Sequence, residues 1–261
     1  MALAGMACAE TVIFNIGGSS ITTDDTDISI VAGTVNNNTG VASQSVTLND
    51  TTLTLKFENG TGIARTNNTT AADNWSNTLG LPDSINLGIS DSNMASLLST
   101  SAQIAAGHTG QGRYPGISKF TLTGLNEGQY ELISFMGRAS GSTTETALTL
   151  SGAENVSVTS YVYTDGAWTL ANSATLDYVA ANTAAAMVNV YSFEAIKGTD
   201  IVLSYNGSIS YQGDTQNQNT DIATYQNVQF LALKTIPEPT TATLSLLALA
   251  GLAARRRRAS R

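Results

Sequence analysis

The chain has 261 residues, a formal net charge of −8 and 42% hydrophobic residues. Five of its twelve basic residues follow position 254, so residues 10–236 hold seven basic and nineteen acidic residues, a net charge of about −12. Such an acidic body excludes nucleic acid and anionic membrane surfaces as partners, because both carry negative charge themselves.

The first nine residues, MALAGMACA, are apolar and end in small residues before Glu10, as at a signal-peptidase cleavage site. They lack a basic start and a full apolar core, so we interpret 1–9 as the remnant of a signal peptide that begins upstream. The alternatives are a disordered N-terminus and, more weakly, a lipid attached to Cys8. Removal of Cys8 would leave a body without disulfides, thiolate metal sites or a cysteine nucleophile.

Three acidic residues near the start of the body, Asp24, Asp25 and Asp27, are candidate metal ligands. Closely spaced carboxylates in a loop suit Ca²⁺, which takes several oxygen ligands. The glycine and closing glutamate of an EF-hand loop are missing, and the favoured alternative is an acidic, solvated turn. A structural calcium is therefore an open expectation.

Short runs rich in β-branched and aromatic residues recur along 10–235, separated by turn dipeptides such as Asn59-Gly60 and Asp165-Gly166. This spacing predicts one all-β domain over 10–235, a jelly-roll-like two-sheet β-sandwich. The predicted strands are Thr11–Ile16, Ile28–Ala32, Ser45–Leu48, Thr52–Phe57, Lys119–Leu122, Tyr130–Met136, Glu145–Leu150, Val156–Tyr163, Ala186–Phe193, Ile201–Tyr205 and Tyr225–Leu233.

Two segments depart from the strand pattern. Thr66–Leu81 is polar around Trp75 and predicts a long loop. Asp91–Ala106 predicts one short helix, capped by Asp91 or Ser92.

The run KFTLTGLNEGQYELISFMGRA predicts a β-hairpin that turns at Asn126-Glu127-Gly128. Its second strand is apolar on both sides, which is typical of a strand in the middle of a sheet.

Motifs for catalysis are mostly missing from the sequence. The single histidine, His108, lies in a glycine-rich stretch, which favours an exposed loop residue over a member of a catalytic triad. Paired carboxylates would serve a glycosidase, with Glu131, Glu145 and Asp165 as candidates. Nothing in the sequence pairs them, so we expect no enzyme activity, with a glycoside hydrolase as the alternative.

Aromatic residues in polar stretches are the best indication of a ligand. Trp75, Trp168 and Tyr211 are candidate sugar-binding residues, because sugar rings stack their C–H faces on aromatic rings while amides and carboxylates bind the hydroxyls. The alternative is that Trp168, Tyr161 and Tyr163 are core or cross-strand residues.

The last 26 residues, 236–261, have three parts in a fixed order. The motif Pro237-Glu238-Pro239-Thr240 is followed by an uncharged, Leu- and Ala-rich helical run and then by a basic cluster. The cluster consists of Arg255, Arg256, Arg257 and Arg258. Prolines end the folded body, and the arginines stay on the cytoplasmic side of a membrane.

This tail resembles the PEP-CTERM sorting signal of Gram-negative bacteria. The resemblance implies export, transient anchoring in the inner membrane by a hydrophobic sorting helix, and processing near Pro237 by an exosortase-type enzyme. The product would then be extracellular or attached to the cell surface, often among exopolysaccharide.

The body resembles galactose-binding or malectin-like jelly rolls more weakly. The residues that carry this resemblance are the opening strand Val12–Gly17, Asn74-Trp75, the predicted hairpin with Gly137-Arg138, and the final strand Tyr225–Leu231. It implies a sandwich of eight or more strands whose relatives often bind carbohydrate.

Three functions stay open at this point. The first is a surface or matrix protein whose non-catalytic jelly roll engages extracellular polysaccharide. The second is a structural or adhesive exoprotein that acts through protein contacts, and the third is a carbohydrate-active enzyme. We favour the first.

Overall fold

A computed structural model describes most of the body of the chain. The described residues are 10–18, 20–33, 41–48, 51–59, 75, 79–105, 108–109, 112–113, 117–139, 146–176, 184–207 and 225–237.

The described residues form sixteen strands and one short helix. In chain order these are β1 (Thr11–Ile16), β2 (Ile28–Gly33), β3 (Val41–Leu48), β4 (Thr51–Asn59), α1 (Asp91–Leu98), β5 (Ala102–Ala105), β6 (His108–Thr109), β7 (Gly112–Arg113), β8 (Ile117–Thr123), β9 (Gly128–Arg138), β10 (Thr146–Ser151), β11 (Ala153–Thr164), β12 (Ala167–Ala171), β13 (Thr175–Leu176), β14 (Ala185–Ala195), β15 (Ile201–Gly207) and β16 (Tyr225–Ile236).

Two sheets form the sandwich, which confirms the predicted fold class. The eight-stranded sheet has the order β12-β11-β14-β9-β16-β1-β2, with β5 also paired to β16, and the six-stranded sheet has the order β13-β10-β15-β8-β4-β3. Strands β14-β9-β16-β1 of the first sheet and β13-β10-β15-β8 of the second have the strand order of a jelly roll. The remaining strands extend this framework at its edges.

The main core lies between the two sheets. Strand β1 contributes Val12, Phe14 and Ile16 to this core, and its other residues face the opposite side of the sheet. Fourteen buried apolar residues form a second core on that opposite side, which we call the outer face of the eight-stranded sheet. Because both faces carry buried side chains, much of each central strand is apolar on both sides.

Residues 79–98, which include α1, cover part of the outer face. Leu87, Leu97 and Leu98 are buried in the second core. The Trp75 amide donates to the Leu98 carbonyl at 3.2 Å, which joins Trp75 to the last residue of α1. Among the described residues, this segment covers the part of the outer face that holds Leu87, Leu97 and Leu98.

The predicted helix is shorter than expected. It ends at Leu98, and residues 102–105 form β5, so the expectation of a helix to Ala106 is wrong. Its cap is Ser90 and not Asp91 or Ser92 as predicted, because the Ser90 hydroxyl accepts from the Asn93 amide. β5 gains backbone partners by pairing with β16.

The predicted hairpin of β8 and β9 is also wrong. β8 pairs with β15 and β4 in the six-stranded sheet, whereas β9 lies between β14 and β16 in the other sheet. The connection crosses the core with Leu125 buried and with Gly124 at a φ of 87°. The prediction that β9 is a central strand is confirmed.

The two ends of the described body lie side by side. The Glu10 amide donates to the Thr235 hydroxyl at 2.9 Å, and the Thr235 amide donates to the Glu10 carbonyl at 3.0 Å. The described body therefore begins and ends on two adjacent strands, β1 and β16.

Candidate functional site

Five aromatic rings form a cluster on the outer face. Trp75 contacts Phe135 and Tyr163 edge to face, at centroid distances of 6.4 and 5.6 Å. Trp168 contacts Phe135 at 6.1 Å and Tyr163 at 5.3 Å, and Phe230 stacks on Phe135 at 5.5 Å. These rings pack mainly against each other.

The two tryptophans predicted to bind sugar belong to this cluster. Trp75 is 6% exposed, so its ring faces are occupied by the second core. Trp168 is half-buried, pairs with Tyr163 across β11 and β12, and donates its indole N–H to the Gly80 carbonyl at 2.8 Å. Both positions fit the alternative of core and cross-strand residues. Tyr211 lies outside the described residues.

The three candidate calcium ligands lie in an exposed turn before β2. The Asp25 carboxylate accepts from the Asp27 amide at 2.9 Å, and the Asp27 carbonyl accepts from the Thr11 amide at 2.9 Å. Asp24 is also exposed. Within the described ranges no three acidic, histidine or cysteine side chains converge as a metal site.

The sorting motif is described only at its first residue. Pro237 is exposed and directly follows the last residue of β16. Glu238, Pro239, Thr240 and the four arginines, Arg255 to Arg258, lie outside the described residues, as does the predicted sorting helix. In the part of the chain that is described, no helix has the length and apolarity needed to cross a membrane.

The outer face also holds a groove of about 190 Å³, which we call the outer groove. Four neighbouring strands of the eight-stranded sheet and the bend at 84–86 line it. The lining residues are Ser84, Ile85, Asn86, Glu131, Ile133, Thr159, Tyr161, Val190, Ser192 and Lys234.

Sheet register places the strand residues of the groove side by side. Ile133 pairs with Val190, and Val190 pairs with Thr159, which forms one row across β9, β14 and β11. Glu131 pairs with Ser192 on one side and with Lys234 on the other, which forms the adjacent row. One row is thus mainly apolar and the other is polar.

Hydrogen bonds join the bend at 84–86 to the sheet. The Ser84 hydroxyl donates to the Tyr161 hydroxyl at 2.8 Å, and the Lys234 ammonium donates to the Asn86 carbonyl at 3.2 Å. The Asn86 side-chain oxygen accepts from the Gly88 amide at 2.7 Å, which holds this side chain in place. These hydrogen bonds hold the bend against the groove side of the sheet.

The chemistry of the groove is amphipathic. Ile133 is 2% exposed and, with the half-buried Val190, provides an apolar floor. Around it are one carboxylate, one ammonium group, one amide and four hydroxyl groups. Such a site offers apolar contact to one face of a ligand and hydrogen bonds to its rim.

The groove was not predicted from the sequence, although two of its residues were named separately, Glu131 as a carboxylate candidate and Tyr161 as an aromatic residue in a polar stretch. The lining residues lie on four strands that are distant in sequence, so no local motif joins them. The available signal was polar residues within strands that are otherwise apolar, such as Ser192 in β14 and Lys234 in β16.

Comparisons of the chain with protein-family models, with curated proteins and with solved structures found no match. The geometry of the outer groove and the motif order of the tail are therefore the two observations from which a function can be inferred.

Proposed function

We propose that the protein is an exported cell-surface or extracellular-matrix protein whose jelly-roll body binds carbohydrate without catalysis. The observation that carries the proposal is the outer groove, where an apolar floor of Ile133 and Val190 is surrounded by hydrogen-bonding side chains. Sugars have this same combination, because their rings present apolar C–H faces and their hydroxyl groups project outward.

Three polar residues of the groove have hydrogen-bonding capacity left for a ligand. Tyr161 accepts a hydrogen bond from Ser84, so its own O–H is free to donate. Lys234 has three N–H donors, of which one is directed at Asn86. An ionised Glu131 accepts several hydrogen bonds. A ligand rich in hydroxyl groups, which both donate and accept, suits such a mixture.

Export and sorting are supported by the tail. Its Pro-Glu-Pro-Thr motif, hydrophobic run and arginine cluster follow one another as in PEP-CTERM signals. Pro237 is exposed directly after β16, so cleavage beside it would leave every described strand intact. The proposed partners are an exosortase-type enzyme, the inner membrane through transient anchoring, and extracellular polysaccharide.

Processing is tested by expressing the chain in a bacterium that has an exosortase-type enzyme. We expect the mass of the cell-surface or released product to lack the residues after the Pro237 region. A triple substitution, Pro237→Ala with Glu238→Ala and Pro239→Ala, should leave the tail attached. A released wild-type product that still carries Arg258 would contradict the sorting proposal.

Carbohydrate binding is tested by a glycan array with the full chain, with and without Ca²⁺, in a detergent that has no sugar headgroup. We expect saturable binding that Thr159→Trp abolishes, because the indole would fill the groove. Thr47→Trp, at an exposed position of β3 in the other sheet, is the matched control. Calcium dependence would support the structural calcium proposed for Asp24, Asp25 and Asp27.

The alternatives give different outcomes in the same experiment. A folded protein that binds no glycan would contradict the carbohydrate proposal and favour a structural or adhesive exoprotein. Release of reducing ends from a bound glycan would instead support a glycoside hydrolase, and Glu131 would be the first carboxyl group to substitute. Binding without turnover supports the proposal.

A further inference from the structure

The charged residues of the outer groove restrict which sugars it can accept. Glu131 and Lys234 are direct partners in neighbouring strands, β9 and β16, and both line the groove. An acceptor-only carboxylate and a donor-only ammonium group therefore stand beside each other above the apolar floor.

We propose that the groove binds neutral sugars through two adjacent hydroxyl groups, one at Glu131 and one at Lys234, and that it excludes uronate-bearing polysaccharides. This inference rests on the proposed carbohydrate function. A hydroxyl group donates to Glu131 while its neighbour on the sugar ring accepts from Lys234. A pair of neighbouring hydroxyl groups thus satisfies both side chains without any charge on the ligand.

An acidic sugar does not fit this pair equally well. Its carboxylate would be attracted by Lys234 but would lie next to the Glu131 carboxylate, and neighbouring like charges repel each other. The ammonium of Lys234 is also partly engaged, because it donates to the Asn86 carbonyl. The net charge of about −12 on residues 10–236 adds a long-range repulsion against polyanions.

Substitution of Glu131 and substitution of Lys234 should change the binding of acidic sugars in opposite directions. Glu131→Gln keeps the size of the side chain and removes the negative charge, so binding of neutral sugars weakens while binding of uronates improves. Lys234→Met keeps the length of the side chain and removes the donor, so binding of both kinds weakens. Hydrogen bonds to charged groups correspond to roughly 10- to 100-fold in affinity.

The experiment uses calorimetry on the full chain with two sets of oligosaccharide probes. The neutral set comprises glucan, galactan and mannan fragments, and the acidic set comprises polygalacturonate and alginate fragments. Glu127→Gln and Lys197→Met, both at exposed turn positions outside the groove, are matched controls for the change in net charge. Melting temperatures identify any variant that fails to fold.

We expect a neutral probe to bind, Glu131→Gln and Lys234→Met to weaken it at least tenfold, and the controls to stay within twofold of the wild type. Acidic probes should bind the wild type at least tenfold more weakly than neutral ones. Preferred binding of acidic probes that Thr159→Trp abolishes would overturn this inference and leave the carbohydrate proposal intact. Binding of neither set would overturn both.

Discussion

Thr235 and Glu10 are joined by three hydrogen bonds, which close the folded body where its two ends meet. Besides the two amide contacts, the Thr235 hydroxyl donates to the Glu10 carbonyl at 3.4 Å. Both proposed cleavage points, before Glu10 and beside Pro237, lie just outside this closure. Trimming of both ends would therefore leave the pairing of β1 with β16 complete.

We expect Thr235→Val to lower the free energy of unfolding by about 1 kcal/mol, because it removes both hydroxyl hydrogen bonds and keeps the backbone contact. Urea denaturation measures the change. Thr47→Val, the same substitution at an exposed strand position, should change stability by less than about 0.5 kcal/mol. Equal effects of the two substitutions would contradict a stabilising role of this closure.

Gly152 and Gly166 provide a matched pair of glycine substitutions. Both have a left-handed φ, 82° and 84°. A Cβ at Gly152 would lie 1.9 Å from the Asp200 carbonyl oxygen, whereas a Cβ at Gly166 meets nothing within 4 Å. Gly166→Ala should cost about 1–2 kcal/mol from φ strain alone, and Gly152→Ala about 3 kcal/mol or more, because the backbone must also move.

Urea denaturation of the two glycine variants separates strain from steric overlap. A large cost at Gly152 would affect the packing of the two sheets, because Gly152 connects β10 in one sheet to β11 in the other. Similar free energies of unfolding for both alanine variants would show that steric overlap with the Asp200 carbonyl adds no cost at Gly152.

Stability should decrease above about pH 10. Burial raises the pKa of Tyr130, Tyr191 and Tyr205 above the usual 10.0, and a nearby Tyr191 raises that of Tyr205 further. Below pH 10 these groups are neutral in both states, so they have no effect on stability. Above it the unfolded state ionises first, and each tyrosine removes up to about 1.4 kcal/mol per pH unit.

Tyr205→Phe tests this pH dependence. The Tyr205 hydroxyl is buried and shares a 2.6 Å hydrogen bond with Ser134, so the substitution should cost about 1–3 kcal/mol at pH 7. Above pH 10 the slope of stability against pH should be smaller than in the wild type by up to about 1.4 kcal/mol per unit. An unchanged slope in urea titrations between pH 10 and 11.5 would contradict the role of Tyr205.

The two tryptophans should matter for stability and not for sugar binding. Trp75→Ala should cost about 3–5 kcal/mol, because it empties a buried site. The milder Trp75→Phe and Trp168→Phe should leave glycan affinity within twofold, since neither residue lines the groove. If a folded Phe variant lost glycan binding, the aromatic cluster would be the binding site and the outer groove would not.

The sequence predicted the strands well, because alternating burial and turn dipeptides are local signals. Thr11–Ile16 was predicted with its correct bounds, and β9 was predicted as a central strand. Strands β12 and β13 were missed, since they are short and gain stability mainly from pairing with neighbours. Strand existence is thus largely local, whereas strand partners are not.

Which strands pair with each other depends on tertiary contacts, so it could not be predicted from local sequence. The turn Asn126-Glu127-Gly128 is typical of a hairpin, yet Leu125 buries in the core and directs β9 into the other sheet. Ile104 continued the apolar pattern after α1, but its segment pairs with β16. The outer groove escaped prediction for the same reason, because only sheet register brings Glu131 beside Lys234.

Sugar binding in the outer groove is tested most directly by a heteronuclear NMR titration of the full chain with a neutral oligosaccharide selected on the array. We predict that the largest saturable shift changes belong to residues of the groove, with Ile133, Thr159, Val190 and Ser192 among them. Trp75 and Trp168 should shift less. The absence of shifts, or shifts centred away from the groove, would contradict the proposed site.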